Sequence, residues 1–239
     1  MKLLLATSNR HKLDEVRAVI DDPRVEWVTL ADVDPDGDIP EPVEDADTFE
    51  GNAAVKARAY AAATGLITVA DDSGLAVDAL GGTPGVRSAR YAGHPGPRHL
   101  TDLANNAKLL AALKEVPRGQ RTAHFVCAMV LVSAPRPEKG VGNLFQPGLE
   151  KVPDTFSVRG EVHGRIIEPH EADDPASPEH GRGDHGFGYD PLFALPDDHP
   201  AHPGRTTAEL TPEQKNALSH RGVAARLLWE QLRQGFDLG

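Results

Sequence analysis

The segment Val69-Ala-Asp-Asp-Ser-Gly-Leu75 constrains the fold of this chain more than any other. Apolar residues from Leu66 to Ala70 run directly into two adjacent carboxylates and a Ser-Gly pair. That pattern reads as a buried strand ending in a turn that delivers Asp71 and Asp72 to a reaction site. Neighbouring carboxylates repel each other, and the cost is recovered when a cation sits between them or one keeps its proton. The plain alternative is a solvated turn with an Asp cap on a following helix.

Around this segment, apolar runs alternate with helical patterns. Lys2–Ala6 reads as a short buried strand and Thr7-Ser8-Asn9 as a turn. Arg10–Ile20 is a helix, because Leu13, Val16, Val19 and Ile20 share one helical face. Val25–Leu30 is a second strand, and residues 31–48 form an acidic, Pro-containing loop. Thr48–Thr64 is Ala-rich and helical, closed by Gly65. Gly81–Gly85 is a backbone-permissive loop, Leu100–Leu113 a helix and Ala123–Ser133 a long strand. Further on, a strand pair is expected at Thr155–Gly160 and Arg165–Glu168, then a flexible polar loop over 169–185. Pro191–Leu195 follows a Gly-Phe-Gly-Tyr turn, and one long helix, Thr211–Leu232, ends the pattern. Strands alternate with helices early and cluster later, which predicts a mixed α/β fold.

The 239 residues, 39% of them hydrophobic, suffice for one core, as a single domain over 1–239 or two closely joined lobes. A net charge of −11 argues against a surface for duplex nucleic acid, which needs clustered Lys and Arg. It leaves room for a small polyphosphate ligand, which needs only a few placed cations and a metal. The single cysteine, Cys127, lies in an apolar run and reads as core; with no disulfide possible within the chain, a reducing cytoplasm is the expected compartment. Nothing approaches the ~20 apolar residues of a membrane span, so no membrane partner is expected.

Four further groups carry polar chemistry. Thr7, Ser8 and Asn9 precede a helix with Lys12 one turn in, either an anion site or simply a capped helix with an exposed lysine. Asn52 and Lys56 lie four apart on one helical face, with Glu44 in the loop before them. In Gly186-Phe-Gly-Tyr-Asp-Pro191, glycines flank Phe187 and free its ring to stack on a flat ligand, or to anchor the loop in the core; Tyr189 reads as structural. Lys215 and Ser219-His220-Arg221-Gly222 mark the last helix, where His220 and Arg221 point about 100° apart. The histidines at 170, 180, 185, 199 and 202 lack the fixed spacing of a zinc site.

Taken in order, Thr7-Ser-Asn-x-x-Lys12, Thr48-Phe-x-x-Asn-Ala-x-x-Lys56, Ala70-Asp-Asp-Ser-Gly-Leu-x-Val-Asp78, Gly81-Gly-x-Pro-Gly-x-x-Ser-Ala-Arg-Tyr91, Gly186-Phe-Gly-Tyr-Asp-Pro191, Thr207-Ala-Glu-Leu-x-x-x-x-Lys-Asn216 and Ser219-His-Arg-Gly222 resemble the inosine/xanthosine triphosphate pyrophosphatase family, from residue 2 to about 230. The resemblance implies an elongated central sheet flanked by helices, with two lobes and a nucleotide cleft between them. It implies an enzyme that hydrolyses ITP, dITP and XTP to the monophosphate and pyrophosphate, cleansing the nucleotide pool, with Mg2+ as cofactor and a homodimer as the working form. Asp72 would be catalytic and, with Glu44, would hold the metal; Asp71 would be a supporting or alternative ligand. Thr7, Ser8, Asn9, Lys12, Asn52, Lys56 and Ser73 would engage the phosphate end. Phe187, Gly188, Tyr189, Asp190, Lys215, His220 and Arg221 would form the base pocket, with Lys215 serving base or phosphate. The same mechanism on another base, a non-catalytic nucleotide binder and a phosphomonoesterase using an Asp nucleophile are the alternatives. Two stretches depart from the family pattern: the polar insertion at about 168–185 is longer and more acidic, and Ala134–Thr155 is extended.

Overall fold

A computed structural model of the chain describes residues 1–7, 9–133 and 154–235. In chain order the elements are β1 (Lys2–Leu5), α1 (Arg10–Val19), β2 (Glu26–Thr29), α2 (Leu30–Val33), α3 (Phe49–Thr64), β3 (Ile67–Val77), α4 (Arg98–Ala112), β4 (Thr122–Val132), β5 (Thr155–Ile166), β6 (Phe193–Ala194), α5 (Pro212–Leu218) and α6 (His220–Gly235). The strands form one mixed sheet in the order β2-β1-β3-β4-β5-β6. β1 is parallel to β2, with Lys2 opposite Glu26, and to β3, with Leu3 opposite Ile67; β6 is antiparallel to β5. The chain divides into two compact units, Met1–Asp72 with Cys127–Gly160 and Arg221–Gly239, and Ser73–Val126 with Glu161–His220.

In the first unit β1, β3 and β4 are buried on both faces, so side chains sort by parity. Leu3, Leu5, Ile67, Val69, Cys127 and Met129 pack with Val16 and Ile20 of α1 and Ala224, Ala225 and Leu228 of α6. The intervening residues Leu4, Ala6, Ala70 and Val130 pack on the other side with Ala53, Ala57 and Tyr60 of α3. Small residues on α3 let it lie close to the strands. Its N-terminus is capped by Thr48, whose hydroxyl accepts from Gly51 N at 3.0 Å, and Gly65 closes it in the left-handed conformation at φ 67°. A cap of this kind contributes about 1 kcal/mol.

The core of the second unit gathers Leu75 and Val77 from β3, Leu109, Leu110 and Leu113 around α4, Phe125 from β4, Ile166 from β5, and Leu192–Leu195. β3 enters this unit at Ser73, and its next residue admits no side chain. A Cβ on Gly74 would stand 2.7 Å from Gly85 O and against the Ser88 hydroxyl, which itself accepts from Leu75 N at 2.9 Å.

Several elements differ from the sequence expectation, among them the short helix α2, which opens the expected loop at 31–48. Asp71-Asp72-Ser73-Gly74 is not a turn at a strand end: β3, 11 residues from Ile67 to Val77, runs straight through it. Polar side chains mimic a strand end in the sequence, but here Asp71 and Asp72 find partners on the helices they face. The expected pair at Thr155–Gly160 and Arg165–Glu168 is a single 12-residue strand. Gly164 lies inside it where β6 approaches; a Cβ there would be 2.7 Å from the Phe193 ring. The long terminal helix is broken at Ser219, whose backbone is extended (φ −64°, ψ 153°), giving α5 and α6. The 168–185 insertion folds into 3-10 turns at Pro169–Glu171 and Pro178–His180, the first fixed by two hydrogen bonds of 2.7 and 2.8 Å between Arg165 and Glu171. The expected extension over Ala134–Thr155 falls almost entirely outside the described residues.

Candidate functional site

Because β3 runs through the Asp pair, the two carboxylates leave the strand on opposite faces. Asp71 continues the Ile67–Val69 row toward α1 and α6 and is 2% exposed. Lys12 Nζ lies 2.9 Å and Arg221 Nε 3.5 Å from Asp71 Oδ2, and the Cys127 thiol donates to the same oxygen at 3.9 Å. Arg221, 1% exposed, also pairs with Glu15. Burial alone would raise the Asp71 pKa, but Lys12, Arg221 and Lys56 outweigh it and hold the group well below the usual carboxylate range.

Asp72 faces α3. Asn52 is 1% exposed and uses both ends of its amide: Nδ2 donates to Asp72 Oδ2 at 3.2 Å, and Oδ1 accepts from Ala46 N at 2.9 Å. One turn on, Lys56 Nζ lies 3.1 Å from Glu44 Oε2 and donates to the Asp71 carbonyl at 3.1 Å. Burial works against the Lys56 charge, yet Asp71 and Glu44 outweigh it and raise its pKa. Asp72 shifts the opposite way to Asp71. Burial raises its pKa above the ordinary value; the Asn52 hydrogen bond, Lys56 and Lys12 oppose the rise, and Glu44 adds to it. A half-buried carboxylate with a raised pKa is a better proton acceptor than an ordinary one.

Glu44 and Asp72 are also the pair that suits a hard cation. Glu44 lies near enough to Asp72 to raise its pKa, which is the repulsion a divalent ion between them would relieve. Two carboxylates alone suit an ion that takes few protein oxygens and completes its shell from phosphate and water.

The remaining expected phosphate contacts are partly engaged within the protein. The Thr7 hydroxyl accepts from Asn9 N at 3.2 Å, and Lys12 is paired with Asp71. Ser8 lies outside the described residues, and Ser73 is half-buried on β3.

A second constellation belongs to the second unit. Asp190, 3% exposed, accepts from Lys215 Nζ at 2.7 Å, from Phe187 N at 2.8 Å and from the Thr207 hydroxyl at 2.8 Å. Gly186 (φ 82°) closes tightly on the same carboxylate; a Cβ there would sit 2.8 Å from Asp190 Cγ. The Phe187 ring is half-buried, with Lys215 Nζ 5.2 Å from its centroid. Tyr189 belongs to the core, its hydroxyl donating to Ser88 O at 2.9 Å, and burial pushes its pKa far up. His220, 7% exposed, stacks on Phe125 with centroids 4.9 Å apart. Arg221, expected beside His220 in the base pocket, pairs instead with Asp71 and Glu15, since adjacent residues of α6 point about 100° apart.

Sequence reasoning missed Glu15 and Thr207 as partners of Arg221 and Asp190. Nothing local marks Glu15; Thr207 lay within a quoted motif but carried no assigned role. A cavity of about 480 Å3 in the second unit, lined by Lys114, Arg121, Glu168 and His170 among others, shares no residue with either constellation. Among the described residues no helix is long and apolar enough to cross a membrane.

The model of the Ham1 family matches residues 3–231. A dITP/XTP pyrophosphatase of Mycolicibacterium paratuberculosis is 47% identical over 226 residues, covering 95% of this chain and 93% of the relative. A dITP/XTP pyrophosphatase of Geobacter sulfurreducens is 45% identical over 231 residues, covering 97% and 96%. The solved structure of a HAM1 protein from Coxiella burnetii superposes with a TM-score of 0.74 at 33% identity, covering 98% of this chain and 99% of that one.

Proposed function

The chain belongs to the Ham1 family, and from that premise we propose that it hydrolyses the aberrant purine nucleoside triphosphates dITP, XTP and ITP to the monophosphate and pyrophosphate. The observation that carries the chemistry is the sorting of Asp71 and Asp72 to opposite faces of β3. One carboxylate is neutralised by Lys12 and Arg221, and the other is left with a raised pKa beside Asn52. Asp72 takes a proton from water as the water oxygen bonds to the α-phosphorus. The bond from that phosphorus to the bridging oxygen breaks, and pyrophosphate leaves with that oxygen. Asn52 fixes the Asp72 carboxylate, and Lys56, held charged, offsets negative charge on the phosphates. Thr7, Ser8, Asn9, Lys12 and Ser73 complete the phosphate end. Glu44 and Asp72 would hold Mg2+, whose charge neutralises phosphate oxygens when it is bound.

At the base end, Phe187 offers its ring for stacking, Asp190 and Lys215 brace the loop that carries it, and a donor from His220 suits the 6-oxo group where adenine carries an amine. Arg221 serves through Asp71 rather than by touching the base. On the same footing the enzyme works in the cytoplasm as a homodimer. The single buried thiol, Cys127, suits a reducing compartment, and light scattering tests the dimer.

A Mg2+-dependent turnover panel on dITP, XTP, ITP, GTP, ATP and dTTP, resolving pyrophosphate from orthophosphate, tests the whole reading. Pyrophosphate released rapidly from the 6-oxo purines, with ATP and dTTP poor, is the expected result. Pyrophosphate from another base would keep the mechanism and move the specificity. Orthophosphate as product would overturn the assignment of Asp72.

A further inference from the structure

One face of α4 carries Arg98, Asp102 and Asn106 at four-residue steps, and all three reach the loop that presents Phe187. Asp102 Oδ2 accepts from Gly188 N at 3.2 Å. Asn106 Nδ2 donates to Gly188 O at 3.2 Å and to Glu179 O at 3.0 Å. Arg98 Nε is 2.9 Å from the other Asp102 oxygen, and its guanidinium carbon lies 5.6 Å from the Phe187 centroid. The polar groups of Gly188 are therefore held by two side chains of one helix. Gly188 itself sits at φ 64°, where few other residues settle, so its own backbone preference does not fix the loop.

Asn106 is 2% exposed, and its Oδ1 has no hydrogen-bond partner among the described residues. A buried acceptor left unmet is costly, and two carbonyls facing Nδ2 leave no alternative orientation for the amide. The residue is thus present for its NH2 group, which moors the Phe187 loop and the 178–180 turn of the insertion together.

We propose that Asp102 and Asn106 are positioning residues for base recognition: they clamp the Gly188 peptide so that the Phe187 ring is presented in one orientation, and they couple the 168–185 insertion to that orientation. The inference rests on the reading of Phe187 as the base platform. A well-placed ring adds affinity for the bound base without touching the reacting phosphates, so loosening it raises KM while kcat holds.

The test is steady-state kinetics on dITP with Asp102→Ala, Asp102→Asn, Asn106→Leu and Phe187→Ala, each checked by thermal melting. Phe187→Ala is expected to raise KM by about 5–100-fold, the range of one lost base stack. Asp102→Ala and Asn106→Leu should raise KM in the same sense with kcat held, and should add little in the Phe187→Ala background. Asp102→Asn, which keeps an acceptor for Gly188 N, should restore KM toward the parent value. If Phe187→Ala raises KM while Asp102→Ala and Asn106→Leu do not, the positioning role is overturned and the base platform stands. If Phe187→Ala leaves KM unchanged, the platform reading fails and takes this inference with it. Should Asn106→Leu not fold, the contrast between Asp102→Ala and Asp102→Asn decides alone, and equal KM values for the two would overturn the proposal.

Discussion

The Lys12 ammonium lies 2.9 Å from the Asp71 carboxylate, joining a half-buried lysine to a buried acid. One residue later, Asp72 faces the other side of the sheet and meets an amide instead. The same substitution at the two positions should therefore fail in different ways. Asp72→Asn is expected to fold normally and lose about 10²–10³ in kcat on dITP. Asp71→Asn leaves Lys12 without its counter-charge and Arg221 with Glu15 alone, and should lower stability by about 3 kcal/mol. Denaturant melts beside kinetics separate the two. Equal stability with equal activity loss would sink the division of labour.

The Asp190–Lys215 pair makes a parallel case in the second unit, at 3% and 6% exposure. Lys215→Ala leaves a buried carboxylate supported by Phe187 N and the Thr207 hydroxyl, with no cation at hydrogen-bond distance among the described residues, and should cost about 3–5 kcal/mol. The double variant Asp190→Ala, Lys215→Ala should cost clearly less than the sum of the two single changes, because the groups act as a unit. Additive effects in a double-mutant cycle would contradict the pairing.

Glu171 gives a pH dependence with a definite sign. Burial favours its neutral form, but two hydrogen bonds from Arg165, one from Glu168 N, and Arg118 nearby depress its pKa to about 2. A depressed folded-state pKa contributes stability that is complete above the unfolded value, near 4.5, and is lost as pH falls toward 2. Parent and Glu171→Gln proteins should differ in Tm by about 2–4 °C at pH 6, the effect of ~1 kcal/mol, and converge as pH is lowered. A gap that widens on acidification would reverse the sign and reject the assignment.

Cys127 should resist thiol chemistry. Burial, reinforced by the negative Asp71 beside it, pushes its pKa up to about 12. A small aromatic disulfide reagent at pH 8 is expected to label the folded protein negligibly and the denatured protein fully. Rapid native labelling would show that this strand opens readily.

Much of the first unit is legible in the sequence. The faces of α1 and α3 follow from apolar residues at helical spacing, and Thr48 and Gly65 mark both ends of α3 in advance. Asn52 and Lys56 reach neighbouring groups because they lie one turn apart. The path of β3 is not legible, because its polar stretch is satisfied by Lys12, Asn52 and Arg221, residues 20 to 150 positions away in the chain. Local pattern has no access to such partners. The break at Ser219 is equally silent: neither Pro nor Gly stands there, and tertiary packing overrides helix propensity.

That break also shapes how the chain tolerates insertion and deletion. In a continuous helix, one residue added near position 219 would rotate everything downstream by about 100°, carrying Arg221 and the Ala224–Leu228 face away from their partners. With an extended residue between them, α5 and α6 hold separate registers, and the orientation of Lys215 places no demand on that of Arg221. Ser219 thus resets the helical phase, and Lys215 and Arg221 each meet their carboxylates, Asp190 on one side and Asp71 with Glu15 on the other, from separately phased helices.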